Sequence, residues 1–338
     1  MTEVESKYGF PIFTRNKSSI YLGKNKKIIV SDIWAFWDYV IKKNSKNTVF
    51  LTALLEQAKY FYDTAENGPI KSKPLLFYYS FLNFAKILIN IEHNYGQRPL
   101  YYHGLKEHNQ GSFSHAEIEI FPKKNNVKNV AAELMGILDQ QSPLTTLKIK
   151  VKDLLRHCVG IHRAYSEIYN EDEIFHRLDN ATLKKNGKQL SFESIVKCDK
   201  NTFSALAAQG YNISCTNGEY KNTTQIPMAT YRPGRNDYHN LSTQIKQAGI
   251  WYYIGANGYT LYLSSHAQHR YSPETIIYNT MFYLGSITRY HPYMFDKLFS
   301  DKEQWLMSEF LTTQPKQFLY TSTAKILGQN ILKAYSHF

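Results

Sequence analysis

The apolar positions Phe50, Leu51, Leu54, Leu55, Ala58, Phe61 and Tyr62 recur at the spacing of one helix face and predict an amphipathic helix from Thr48 to Ala65. Asn67-Gly68-Pro69 ends it, because Gly reaches backbone angles closed to other residues and Pro cannot continue the hydrogen-bond ladder. Before it, Asp32 is placed to cap a helix from Ile33 to about Ile41. After it, Pro74 opens a third helix, Leu75 to Ile91, that is apolar almost all round, a pattern that predicts burial. One polar stripe interrupts this helix. At ~100° per residue, Tyr79, Asn83, Lys86 and Asn90 fall within an arc of about 60°. A buried Lys or Asn needs hydrogen-bond partners. The stripe is therefore either a core hydrogen-bond network or a pocket lined by Tyr79, Asn83 and Lys86.

From Gly111 onward the pattern changes. His115–Phe121 and Leu147–Val151 alternate apolar and polar and predict strands, with a short helix over Val130–Asp139 between them. Gln189–Val196 fits either a strand or a helix, and 199–249 shows no clear periodicity. Ile250–Ile254 and Tyr259–Leu263 flank Gly255-Ala256-Asn257-Gly258 and predict a hairpin, since β-branched and aromatic runs surround a turn able to take φ > 0. Helical periodicity returns from Pro273 to Tyr290, and further helices are expected over Lys302–Thr312 and Ala324–Tyr335. The fold class is α+β, mainly α. The expected parts are a helical region 1–110, a mixed middle 111–265 with the hairpin near 250–264, and a helical region 266–338 packing on the N-terminal helices.

Composition sharpens this picture. With 43% hydrophobic and 15% aromatic residues, 27 of them tyrosines, the 338-residue chain can bury a large core and is not a disordered protein. Forty Lys and Arg against 28 Asp and Glu leave a net charge of +12, which favours a polyanionic or acidic partner: nucleic acid or a partner protein. The lysines are dispersed, in Lys123-Lys124-Lys128, Lys148-Lys150-Lys152 and Lys184-Lys185-Lys188 among other clusters, so no single groove stands out. Met1–Phe10 has no apolar leader segment and no long unbroken apolar run occurs, so a cytoplasmic protein without membrane insertion is expected. Cys158, Cys198 and Cys215 have neither disulfide-framework nor metal-ligand spacing. A homo-oligomer is compatible with all of this.

Specific motifs are few. His266 and His269 lack a further ligand, Glu117 and Glu119 share a strand face, and Glu167, Glu171, Asp172, Glu173 and Asp179 read as a solvated acidic face. Neither a metal nor a cofactor is expected, and no phosphate-binding Gly-rich loop precedes a helix. Tyr278, Phe282, Gly285 and Arg289 lie on one stripe of the Pro273–Tyr290 helix. If that helix packs on the third helix, Gly285 permits close approach and brings Arg289 to the Tyr79/Asn83 stripe.

Gln57-Ala58-Lys59-Tyr60-Phe61-Tyr62, the block Lys73 to Lys86 with its Lys-Pro-Leu-Leu, Tyr78-Tyr79, Asn83 and Ala85-Lys86, and His103-Gly104-Leu105 together resemble the YaaC-like family of bacterial proteins. Arg289-Tyr290-His291-Pro292 followed by Trp305, Phe310, Pro315 and Phe318 resembles that family's ending. The resemblance spans nearly the whole chain, is weakest in the middle, and implies no established activity. The tyrosine-rich third helix is also loosely similar to HEPN-type domains, helical modules often found in bacterial defence systems. In that light Arg156-His157-Cys158-Val159-Gly160-Ile161-His162 fits the HEPN nuclease pattern, in which Arg156 would hold a phosphate and His162 would move a proton. Two functions are thus expected in competition. One is a non-catalytic nucleic-acid- or protein-binding module in a defence or stress setting, with Tyr79, Asn83, Lys86, His103 and Arg289 as binding candidates. The other is a metal-independent ribonuclease using Arg156 and His162.

Overall fold

A computed structural model describes residues 2–3, 28–109, 112–124, 126–186, 189–226, 244, 246–255, 258–266, 271–327 and 331–334. In chain order the helices are α1 (Ile33–Asn44), α2 (Thr48–Asn67), α3 (Lys73–His93), α4 (Val130–Leu138), α5 (Val151–Arg156) and α6 (His162–Tyr169). They continue as α7 (Lys200–Ala208), α8 (Pro273–Tyr290), α9 (Pro292–Leu298) and α10 (Gln304–Leu327). The strands are β1 (Thr2–Glu3), β2 (Ile28–Val30), β3 (Tyr101–Tyr102), β4 (Leu105–His108), β5 (Glu117–Ile120), β6 (Lys128–Asn129) and β7 (Leu147–Lys150). They continue as β8 (Phe175–Asn186), β9 (Gln189–Val196), β10 (Ile213–Thr216), β11 (Glu219–Ile226), β12 (Ile250–Gly255), β13 (Gly258–Ser264) and β14 (Ile331–Lys333). The protein is mainly helical with a strand-rich middle, as the pattern of its sequence predicts.

The chain divides into two compact units, one of 30–171 and 271–326, the other of 1–29, 172–270 and 327–338. The stretch 111–171 therefore belongs with the helical unit. That unit is built on α3, whose buried face carries Phe77, Phe81, Phe84, Ile87, Leu88 and Ile91. Pro74 sits in its first turn and Asn94, in the left-handed region at φ 49°, closes it. With the preceding turn, Ile70–His93 is long and apolar enough to cross a membrane by length and composition, yet 72% of its most apolar stretch is buried within the unit. α2 and α8 pack along it. Aromatic rings fill the centre: Phe81 stacks on Phe318 at 4.2 Å, Trp37 meets Phe84 edge-on at 5.4 Å, and the Trp37 indole donates to Thr323 Oγ1 at 2.8 Å. Asp32 caps α1 by accepting from the backbone N–H groups of Trp34 and Ala35.

One local expectation needs correction. The helices predicted over Lys302–Thr312 and Ala324–Tyr335 are instead one continuous α10 that runs through Pro315, and Ile331–Lys333 is a strand. Proline removes one ladder donor, but Phe310, Leu311, Phe318 and Leu319 on either side are buried and hold the two halves in one line. The stretch 151–169, which carries Arg156 and His162, is largely helical. Of the two forms open to Gln189–Val196, it takes the strand.

The helical unit also holds the antiparallel sheet β4-β5-β7 and the short parallel ladder of β3 and β6. In the other unit, six antiparallel strands run in the order β10-β11-β9-β8-β13-β12, with β1 on β8. The expected hairpin pairs Ile250 with Leu263 and Ile254 with Tyr259. Its core is Leu178, Phe192, Val196, Leu206, Ile250, Tyr252, Leu261 and Leu263, with Leu206 supplied by α7. β2 and β14 form a separate two-stranded ladder.

Close approach of α8 to α3 depends on one small residue. A Cβ built on Gly285 would lie 3.0 Å from Tyr78 Cβ and 3.4 Å from the Pro74 carbonyl oxygen. A larger side chain must push the two helices apart. Gly285→Val is expected to destabilise the protein by roughly 1–3 kcal/mol, read as a fall in the midpoint of chemical denaturation, with Ser286→Ala on the same helix as the mild control.

Candidate functional site

The polar stripe of α3 divides into two groups. In the first, Asn83 donates to Gln57 Oε1 at 3.2 Å, Lys86 Nζ donates to Asn83 Oδ1 at 3.3 Å, and the Asn90 amide donates to the Lys86 carbonyl and to the Tyr101 hydroxyl. This is a hydrogen-bond network between α2, α3 and β3. Burial, with the Arg98 charge adding to it, lowers the pKa of Lys86, and among the described residues no carboxylate pairs with it. Asn83 and Lys86 are thus held in the network as structural partners of one another.

The other end of the stripe points elsewhere. Arg289 Nη1 donates to the Tyr79 hydroxyl at 2.6 Å, the contact expected from the spacing along α8. Its guanidinium lies over two rings, 5.9 Å from the centre of Tyr79 and 4.9 Å from that of Tyr290. Arg289 makes no ion pair among the described residues, and Tyr290 is 59% exposed. Beneath them Tyr78 is buried, its ring edge-on to Phe282 at 5.4 Å, and its hydroxyl has no hydrogen-bond partner among the described residues. Burial pushes the Tyr78 hydroxyl pKa up.

His103 stands beside this group. Its ring stacks on Phe282 at 5.9 Å, and its Nδ1 accepts from the Leu105 N–H at 3.2 Å, which leaves the proton of the neutral ring on Nε2. The backbone on either side is pinned: the His103 carbonyl accepts from Ala131 N–H and the Gly104 carbonyl from Phe121 N–H. Gly104 takes φ +75°, and a Cβ there would fall 1.6 Å from Asn129 Oδ1. Asn129 uses that oxygen to cap α4 at Ala132 and its amide to hold the Phe121 carbonyl. Only glycine fits both the backbone angle and the Asn129 side chain. Loss of water around the packed ring lowers the His103 pKa; Glu107 opposes this and Arg289 adds to it. Glu107 also lies 3.9 Å from His291 Nε2.

Arg156 and His162 are placed differently. Arg156 pairs with Glu171 Oε2 at 3.4 Å, so its charge already has a carboxylate. His162 begins α6, is 8% exposed, and bonds through Nδ1 to the Val159 carbonyl. The Arg156 side chain is partly exposed but shares its charge with Glu171, and the His162 ring is buried. The paired carboxylates on β5 also have a structural use, since Glu119 bridges His108 at 2.8 Å and Lys148 at 3.2 Å. Among the described residues no group of His, Cys, Asp and Glu side chains is arranged to hold a metal ion; His269 lies outside them. Tyr78 and Tyr290 were missed as site residues in the sequence. The available signal was their adjacency to Tyr79 and Arg289.

The model of the YaaC-like protein family matches residues 24–326. The chain belongs to the YaaC-like family. No curated protein and no solved structure shows significant similarity, and the looser likeness to HEPN domains has no counterpart in these comparisons. Six of the residues that carried the YaaC-like resemblance, Tyr78, Tyr79, His103, Gly104, Arg289 and Tyr290, are scattered from position 78 to position 290 and meet at this one place on the helical unit.

The opposed charges around His103 give a direct check. Its titration midpoint, followed by NMR of the ring protons, is expected below the ordinary histidine value. Arg289→Ala should raise it and Glu107→Gln should lower it further. Since the folded-state pKa is depressed, neutral His103 is the favoured form at neutral pH, and its protonation on acidification through the unfolded value opposes folding.

Proposed function

We propose that this YaaC-like protein is a non-catalytic nucleic-acid-binding module that holds single-stranded RNA or DNA at the Arg289 face of its helical unit. The observation that carries the reading is an exposed arginine whose charge is not neutralised by a carboxylate. It is oriented instead by the Tyr79 phenol and flanked by the exposed Tyr290 ring. An unpaired guanidinium offers a forked grip on a phosphate, and an exposed aromatic face beside it offers a stacking surface for a base. Pinned backbone around His103 adds a neutral imidazole N–H donor within the same group. The net charge of +12 adds long-range attraction for a polyanion.

The competing ribonuclease reading draws no support from the placement of Arg156 and His162, which are paired and buried respectively. A defence setting rested on the HEPN likeness and is not carried into the proposal.

Fluorescence anisotropy with a labelled single-stranded oligonucleotide tests the reading. Binding should weaken linearly with the logarithm of salt concentration. Arg289→Ala and Tyr290→Ala should each lower affinity by about tenfold, and Arg289→Ala should also reduce the salt slope by about one. The oligonucleotide should remain uncut, and Arg156→Ala should bind as the parent does. Absence of binding at low salt, or binding indifferent to Arg289, would reject the reading in favour of a protein partner.

A further inference from the structure

A cavity of about 630 Å³ opens on another part of the helical unit, between the Ser112–Ser114 turn, α5, α6, α9 and the segment leading into α10. That volume lies in the range of sites for small organic ligands. Its chemistry is unusual for a structural void. The Tyr169 ring is flanked by two ammonium groups, Lys152 Nζ at 3.9 Å and Lys302 Nζ at 4.9 Å from its centre. Lys152 shares its charge with Glu171 at 3.4 Å. Lys297 and Lys302, by contrast, make no ion pair among the described residues, and both line the cavity. Two ammonium groups that make no ion pair among the described residues, set in the lining of one concave space, offer an anion its counter-charge.

The rest of the lining narrows the class of anion. Tyr293, which is 85% exposed, and Phe113 both line the cavity. Large exposed aromatic rings beside a concave site are surfaces on which planar ligands stack. The same wall carries Asp301 and Glu303. Glu303 accepts the Tyr169 hydroxyl at 3.2 Å. Asp301 has no side-chain partner among the described residues. An inorganic anion offers a carboxylate at most the protons on its own oxygens. A nucleoside phosphate offers more, because its sugar hydroxyls and ring amino groups are donors.

We propose that this cavity binds a nucleoside phosphate, with the phosphate on Lys297 and Lys302, the base against Tyr293, and a sugar or base donor on Asp301. The site is distinct from the Arg289 face and its occupancy does not depend on nucleic-acid binding there.

Isothermal titration calorimetry of the full chain with adenosine 5′-monophosphate tests the proposal, with adenosine and inorganic phosphate as separate probes. The nucleotide should bind at least about tenfold more tightly than either fragment. The Lys297→Gln/Lys302→Gln double variant, altered only at exposed positions, should lose at least about tenfold in affinity while keeping the parent's melting temperature. Tyr293→Ala should weaken the nucleotide and leave phosphate binding unchanged. Arg289→Ala should leave nucleotide affinity unchanged, so that failure here and failure of the nucleic-acid reading are separable. Three results would overturn the proposal: no nucleotide binding, adenosine or phosphate binding as tightly as the nucleotide, or a double variant that binds like the parent.

Discussion

The helical unit depends on how closely α8 can approach α3. α3 is apolar on nearly all sides, and such a helix is stable in water only when other elements cover it. α2 covers one side and α8 another, and Gly285 lets the second come near enough for Tyr78 to contact its backbone directly. Once that distance is set, the rest of the Arg289 face follows. Phe282, one turn before Gly285, meets Tyr78 on one side and supports the His103 ring on the other. Arg289, one turn after Gly285, reaches the Tyr79 hydroxyl. One packing distance thus sets the positions of the guanidinium, both phenols and the imidazole, although these groups come from three separate segments.

Polar groups on a buried helix have to be satisfied by whatever the fold brings to them, and the two halves of the α3 stripe were satisfied in different ways. Asn83, Lys86 and Asn90 face α2 and β3, where Gln57 Oε1 and the Tyr101 hydroxyl supply acceptors. Tyr79 faces α8, where it meets a full charge. The first arrangement ties its side chains to one another and to neighbouring elements, although Asn90 Oδ1 has no hydrogen-bond partner among the described residues. The second leaves most of the guanidinium's donors unspent at the surface. That difference is the reason for reading the Arg289 end as a binding surface and the Lys86 end as structure.

Much of this was legible in the sequence because it is local or periodic. The bounds of α8, the cap at Asp32, the burial of α3 and the 250–264 hairpin follow from spacing, capping chemistry and turn residues. The Arg289–Tyr79 contact was legible too, since both residues lie on helix stripes whose facing could be guessed from Gly285. What failed was set by distant partners. Pro315 looks like a helix end until the buried Phe310 and Phe318 are seen to hold both sides in one helix. The ion pair of Arg156 with Glu171, which follows α6, had no signal in the Arg156–His162 spacing. The Lys297–Lys302 cavity had no sequence signal, because its walls come from four regions of the chain that share no motif.

The positive charge of the chain acquires meaning by the same route. A surplus of +12 says only that many cations lack acids, not which. Several prominent lysines of the dispersed clusters turn out to be neutralised: Lys123 by Glu133, Lys148 by Glu119, Lys152 by Glu171, and Lys325 by the buried Glu274. A paired cation has already exchanged its water for a carboxylate, and an incoming phosphate must compete with that partner. Arg289, Lys297 and Lys302 face no such competition among the described residues. Each also lies beside an aromatic surface, Tyr290 for the first and the Tyr293 and Tyr169 walls of the cavity for the others. Unpaired charge alone is common on a basic protein. Among the described residues, unpaired cations over aromatic rings also occur at Lys43, Arg98, Lys124 and Lys128; what sets the three apart is the hydrogen bond that orients Arg289 on Tyr79 and the cavity that Lys297 and Lys302 share.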